Sequence, residues 1–323
     1  MATPFDVDGR LDVDGAVALA RYLADNGSDA LVVTGTTGEG PTLADRERAE
    51  VWEAVASAVQ VPLIAGSGSN DTAHSVELTK VACSVGAAGI LAVTPYYNRP
   101  GQAGIAAHFG AMAEAAGDVP VLLYDVPVRT GRKVALDTFC SVAARHPNVV
   151  GVKDAAGDLV ATARLAGARL VGAAPPGFEI YCGEDLLTLP MLAVGAVGVV
   201  SVASHWVGPE LSELIRCYFD GDVEAATELH LELFDSVAFQ SSEDDPNPLP
   251  AKAVLRALGL PAGQCRLPLG TASPDLDAAA VAMLGALEAW RSKRPAPPAG
   301  TARPDGTARP AGSARRSDGG AGG

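Results

Sequence analysis

The sequence predicts an α/β protein: a (β/α)8 TIM barrel followed by a C-terminal helical extension. Three observations carry this. Strands and helices alternate strictly along residues 1–204, the strands are apolar on both faces, and polar residues gather at the C-terminal strand ends. Doubly apolar strands that alternate with helices belong to parallel sheets. In a closed barrel the ends of all the strands converge on one site. An open doubly wound sheet is the competing arrangement.

The elements follow in order. Asp12 to Ala24 has helical spacing, with Val13, Ala16, Val17, Ala20 and Leu23 on one face and Asn26-Gly27 as a stop. Residues 30–34 form a buried strand that runs into the glycine-rich turn Gly35–Gly40, and a helix follows to about Val59. Further strands are expected at 61–66, 89–94, 119–124 and 149–153, a shorter one at 178–183 and a last one at 195–202. With one more at the N-terminus they make eight. Beyond residue 204 the pattern turns helical, near 206–219, 222–240, 250–258 and 275–290. This gives a barrel over 1–204 with an apparently truncated first strand, a helical region over 205–290, and a Pro/Ala/Gly/Arg-rich tail over 291–323 that reads as disordered.

Composition narrows the function. The net charge is −14, and the body before residue 291 carries −19 against +5 in the tail. Such a body repels nucleic acid and anionic membrane surfaces. No apolar stretch approaches the roughly 20 residues that span a bilayer, and nothing at the N-terminus reads as a signal peptide. The five cysteines are scattered without a CxxC pair, which fits reduced thiols in a cytoplasmic protein. The five histidines show no metal-ligand spacing, and neither a Walker loop nor a dinucleotide fingerprint is present. Neither a metal nor a cofactor is expected.

The chemistry centres on Val149-Val150-Gly151-Val152-Lys153-Asp154. A buried strand delivers an ammonium group at its C-terminal end, in a chain with five lysines against nineteen arginines. Arginine carries charge equally well but cannot form a Schiff base. An amine nucleophile needs proton shuttles, and Tyr124, Thr36 and Tyr97 place hydroxyls at three other strand ends. Arg129, in the loop after Tyr124, offers a planar fork for a carboxylate, and the Gly35–Gly40 turn offers backbone N–H groups at a helix start. Each residue taken singly has an ordinary packing or snorkelling role; their joint placement at separate strand ends points to a site.

These motifs resemble the dihydrodipicolinate synthase family. The resemblance rests on Gly35-Thr36-Thr37-Gly38-Glu39, Thr94-Pro95-Tyr96-Tyr97-Asn98, Tyr124-Asp125-Val126-Pro127 with Arg129-Thr130-Gly131, Gly151-Val152-Lys153-Asp154, and Pro246-Asn247-Pro248. It runs from residue 2 to about 290, with the motifs in family order. It implies that Lys153 forms a Schiff base with pyruvate and that Tyr124 passes protons to and from it. Thr36 and Tyr97 would complete the hydroxyl relay, Tyr97 reaching across from a neighbouring subunit. Thr37 would contact the pyruvate carboxylate, and Gly183 and Val200 would line its pocket. Arg129 would receive the carboxylate of aspartate semialdehyde. The implied assembly is a homotetramer, a dimer of dimers.

Two departures stand out. Family members carry a full first strand before the Thr-Pro, and here Met1 stands two residues ahead of Thr3. A start placed too late is the expectation, since a missing strand would expose edges in a closed barrel; soluble, active expression of the chain as written would overturn it. Asp125 stands where asparagine is commoner, a change expected to be tolerated. The rival readings are a sister aldolase acting on a 2-keto-3-deoxy sugar acid or N-acetylneuraminate, and a silent barrel that only binds or assembles. Thr36-Thr37 and Arg129 favour the synthase over the first; the retained Lys153 and Tyr124 speak against the second.

Overall fold

Burial on both faces makes the apolar runs parallel strands with helices outside them. The computed structural model describes residues 1–294. In order it contains α1 (Val13–Asp25), β1 (Leu31–Val33), α2 (Asp45–Ala58), β2 (Leu63–Gly66), α3 (Thr72–Ser84), β3 (Gly89–Val93), α4 (Gln102–Ala116) and β4 (Val121–Asp125). Then come α5 (Pro127–Thr130), α6 (Leu136–Arg145), β5 (Val149–Asp154), α7 (Leu159–Leu170), β6 (Glu179–Cys182), α8 (Thr188–Ala193) and β7 (Gly198–Val199). The strands form one parallel sheet in chain order, β1 to β7. Asp12, Asp71 and Asp158 each accept a helix N–H and start α1, α3 and α7.

One face of the sheet packs on the helices through Leu31, Leu63, Ile90, Leu123, Val152 and Ile180. On the other face Leu91, Leu122 and Tyr124 meet Val32, Ile64, Val93, Tyr181 and Val200. Val32 of the first strand and Val200, just past the last, reach one cluster because the sheet is curled.

Seven paired strands stand where eight were expected. Among the described residues no strand joins β1 to β7. The Met1 amine reaches Val32 O of β1 at 2.7 Å, but no ladder continues from it: Ala2 N donates to His205 Nε2 at 3.0 Å, and the Thr3 side chain donates through Oγ1 to Gly38 O at 2.6 Å. Backbone groups bound to loops and side chains are not available to a strand ladder. The last strand is also shorter than the expected 195–202: Gly195 turns at φ 110, and only Gly198 and Val199 pair with β6.

The helical region comprises α9 (Ser204–Asp220), α10 (Val223–Glu232), α11 (Phe234–Ala238), α12 (Leu249–Ala257) and α13 (Leu276–Arg291). The segment expected as one helix over 222–240 breaks at Leu233, whose buried side chain enters a second core with Val237, Trp206, Leu249, Val254 and Leu287. Arg291, expected to open the tail, instead closes α13 and pairs with Glu210 at 2.6 Å. The tail expected over 291–323 otherwise lies outside the described residues from 295 onward.

Candidate active site

Lys153 on β5 stands beside Tyr124 on β4 in strand register, and its Nζ lies 4.5 Å from the centroid of the Tyr124 ring. The ring is buried at 5% exposure, while Lys153 is half-buried. Alternation along β4 and β5 turns both side chains to the inner face, and Val152 and Leu123 to the helices. Gly183, just past β6, lies against Ala155 and this lysine: a Cβ there would stand 2.9 Å from Ala155 Cβ, 3.0 Å from Lys153 Cγ and 3.1 Å from Cε. Val200, past β7, packs into the same inner cluster as Tyr124. Glu184 and buried Asp185 follow Gly183; burial pushes both carboxyls upward, and the Lys153 charge opposes this.

The Gly35–Gly40 turn is strained and tightly held. Thr34 and Glu39 adopt left-handed φ of 59° and 52°, and a Cβ on Gly40 would meet Thr34 O at 2.3 Å. Thr34 Oγ1 accepts from Trp52 Nε1 at 2.9 Å, and buried Arg48 donates through Nη2 to Gly40 O. The turn is tied to the C-terminal region as well. Glu39 forms an ion pair with Lys252 of α12 at 2.6 Å, with side chains 0% and 1% exposed. Thr37 Oγ1 accepts from Asn247 Nδ2 at 3.1 Å, and Arg129 Nη2 donates to the Asn247 carbonyl at 3.5 Å.

The structure therefore gathers Lys153, Tyr124, Gly183 and Val200 at one inner cluster, and links Thr37 to Arg129 through Asn247. Thr36 is half-buried in the same turn, its carbonyl accepting from Glu39 N. Tyr97 is not drawn in: it is 90% exposed, at φ 68°. All four non-glycine residues at positive φ among the described residues (Thr34, Glu39, Tyr97 and Arg99) lie in the loops after β1 and β3. Sequence reasoning quoted Asn247 and Glu39 in motifs but gave neither a role, and it overlooked Lys252 as a partner. The hint was an asparagine between two prolines; for the ion pair there was none, because its partners are 213 positions apart.

Among the described residues no group of three or more His, Cys, Asp or Glu side chains could hold a metal ion. An open cleft of about 840 Å³ between α4 and α6, lined by Gln102, Gly110, Ser141 and His146 among others, includes none of the strand-end residues. It plays no part in the site.

Asp125 follows Tyr124 and turns to the opposite face, in register with Asp154. It is 1% exposed and receives only long bonds, 3.3 and 3.4 Å, from Val134 N. Burial, with Asp154 adding repulsion, pushes its carboxyl up to about 7. Because the folded value lies above the unfolded 3.8, protonated Asp125 supports the fold at low pH. That support is lost as pH rises to about 7. Asp125→Asn keeps an acceptor for Val134 N and removes the penalty. The variant is expected to match the parent near pH 4 and to exceed it by roughly 2–4 kcal/mol above pH 7. Urea midpoints across that range measure this; a difference independent of pH would count against it.

With this geometry in place, comparison with known proteins is direct. The model of the Dihydrodipicolinate synthetase family matches residues 1–287. The 4-hydroxy-tetrahydrodipicolinate synthase of Moorella thermoacetica is 46% identical over 272 residues, covering 83% of this chain and 90% of its own. The crystal structure of the synthase from Cyanidioschyzon merolae with lysine bound superposes with a TM-score of 0.84 at 42% identity, covering 89% of this chain and 96% of that one. The synthase from Acinetobacter baumannii complexed with pyruvate gives 0.82 at 33% identity, covering 89% and 97%. The chain belongs to the dihydrodipicolinate synthetase family.

Proposed function

We propose that this chain is a 4-hydroxy-tetrahydrodipicolinate synthase, a Schiff-base-forming lyase of the diaminopimelate and lysine pathway. The observation that carries the reading is Lys153 Nζ set 4.5 Å from the Tyr124 ring centroid at adjoining strand ends. The Lys153 amine adds to the keto carbon of pyruvate and loses water to give the iminium. A methyl proton then leaves to give the enamine, and the new carbon–carbon bond forms at the aldehyde of L-aspartate 4-semialdehyde. Attack of that substrate's own amine on the iminium closes the ring and releases Lys153. Tyr124 is read as the proton carrier, with Thr36 and Tyr97 completing the relay. Thr37 is read as a pyruvate-carboxylate contact, Arg129 as the carboxylate fork for the aldehyde, and Gly183 and Val200 as pocket lining.

The test is turnover of pyruvate with aspartate semialdehyde, set against cleavage of 2-keto-3-deoxy sugar acids and N-acetylneuraminate. Activity on the sugar acids alone would overturn the reading. The same reading takes residues 1–204 as a (β/α)8 barrel and 205–290 as its helical extension, in a cytoplasmic homotetramer. What supports the assembly is Tyr97, a large side chain 90% exposed on a strained loop. A tyrosine that serves a neighbouring subunit needs that subunit in place. Activity per subunit is therefore expected to fall on dilution as the mass seen by sedimentation drops, and activity of a stable monomer would refute this. Among the described residues no helix is long and apolar enough to cross a membrane.

A further inference from the structure

We infer that Asn247, supplied by the helical region rather than the sheet, is a positioning residue that sets the direction of the Thr37 hydroxyl and so tunes binding of the pyruvate carboxylate. This rests on the proposed reading of Thr37 as a carboxylate contact. An amide nitrogen only donates, so when Asn247 Nδ2 approaches Thr37 Oγ1 at 3.1 Å the hydroxyl must accept. The Thr37 proton then stays free to donate to an anion. Without Asn247 the hydroxyl rotates, and the anion loses a donor held ready for it.

The backbone of Asn247 is held in place, and its side-chain amide reaches only Thr37, the buried Oδ1 having no hydrogen-bond partner among the described residues. The residue is 7% exposed, and its N–H donates to Ser241 Oγ at 3.2 Å. Two residues earlier, Asp245 accepts from the backbone N–H and hydroxyl of Ser273 at 2.8 and 2.5 Å. Pro246 and Pro248 narrow the backbone freedom on either side. The Asn247 carbonyl also receives Arg129 Nη2, so one residue touches a residue read for each substrate carboxylate. Only the side chain faces Thr37; the bond to Arg129 uses the main chain. Substitution of the side chain therefore separates the two.

The experiment measures both KM values and kcat for Asn247→Ala, Asn247→Asp, Thr37→Val and the double variant Thr37→Val/Asn247→Ala, with borohydride trapping of pyruvate on each. Asn247→Ala is expected to raise the KM for pyruvate about tenfold, the cost of one donor to a charged group, with kcat and the KM for the aldehyde within about threefold. Asn247→Asp is expected to raise it further, since a carboxylate turns the Thr37 proton toward itself. The double variant should bind pyruvate no worse than Thr37→Val alone, because Asn247 acts through Thr37. Additive losses, an unchanged pyruvate KM, or an equal rise in both KM values would overturn the inference. Absence of a pyruvate adduct in the unaltered protein would instead overturn the proposed function, so the two failures are distinguishable.

Discussion

Borohydride reduction in the presence of pyruvate is expected to leave a covalent adduct on Lys153 and on no other lysine. Four other lysines are present, so the result is selective. Lys133 is committed to Asp158 at 2.7 Å, Lys80 to Glu77 at 2.8 Å, and Lys252 is buried against Glu39. Lys293 lies past the end of α13, whereas Lys153 stands beside the buried Tyr124 at adjoining strand ends. Lys153→Arg keeps a cation of similar length but cannot form the imine, so the rate is expected to fall by roughly three to six orders of magnitude. Tyr124→Phe keeps the ring against which Lys153 lies and removes only the hydroxyl. Its expected loss is about 10²- to 10⁴-fold, the usual contribution of one proton-transfer group. An adduct on another residue, or substantial turnover by Lys153→Arg, would end the Schiff-base assignment.

The second large effect concerns stability. Lys252 and Glu39 are a fully buried ion pair 2.6 Å apart, and Lys252 Nζ also donates to Gln264 O at 3.1 Å and lies 4.2 Å from the Phe5 ring centroid. Burial pulls the Lys252 ammonium below its ordinary range, and the Glu39 carboxylate opposes that pull. Lys252→Met removes one partner and leaves the other charge stranded, which costs about 3–5 kcal/mol. In a chain of this size that is a drop of roughly 10 °C in Tm. Replacing both, as Glu39→Gln/Lys252→Met, is expected to recover most of the loss, since the pair itself carries a large desolvation cost. Thermal unfolding of the three variants decides it; a double variant no more stable than Lys252→Met would show that something other than a stranded charge is responsible.

Much of this was legible beforehand because it is local. Strand–helix alternation and the lysine at the end of an apolar strand are written in spacings of a few residues. The shared motifs then named Thr37, Gly183 and Val200 as candidates, of which Gly183 and Val200 stand with Lys153 and Tyr124 while Thr37 is tied to Asn247. What misled was also local in kind. The run from Gly195 to Val202 has the composition of a full strand, yet only Gly198 and Val199 pair: Gly195 turns at φ 110, and among the described residues no further strand flanks β7. Likewise the periodicity over 222–240 ignores Leu233, which breaks the helix to reach a core the sequence does not display.

By itself, then, the sequence determined the family, the alternating parallel architecture and the residues that can do imine chemistry, since these depend on side-chain type and short-range order. Only the tertiary structure decided that seven strands pair rather than eight, that Tyr97 stands exposed, and that Thr37 is held by Asn247 and Glu39 by Lys252. The last two contacts join positions 210 and 213 residues apart. Such contacts exist only after the chain has folded back on itself, and no local pattern records them.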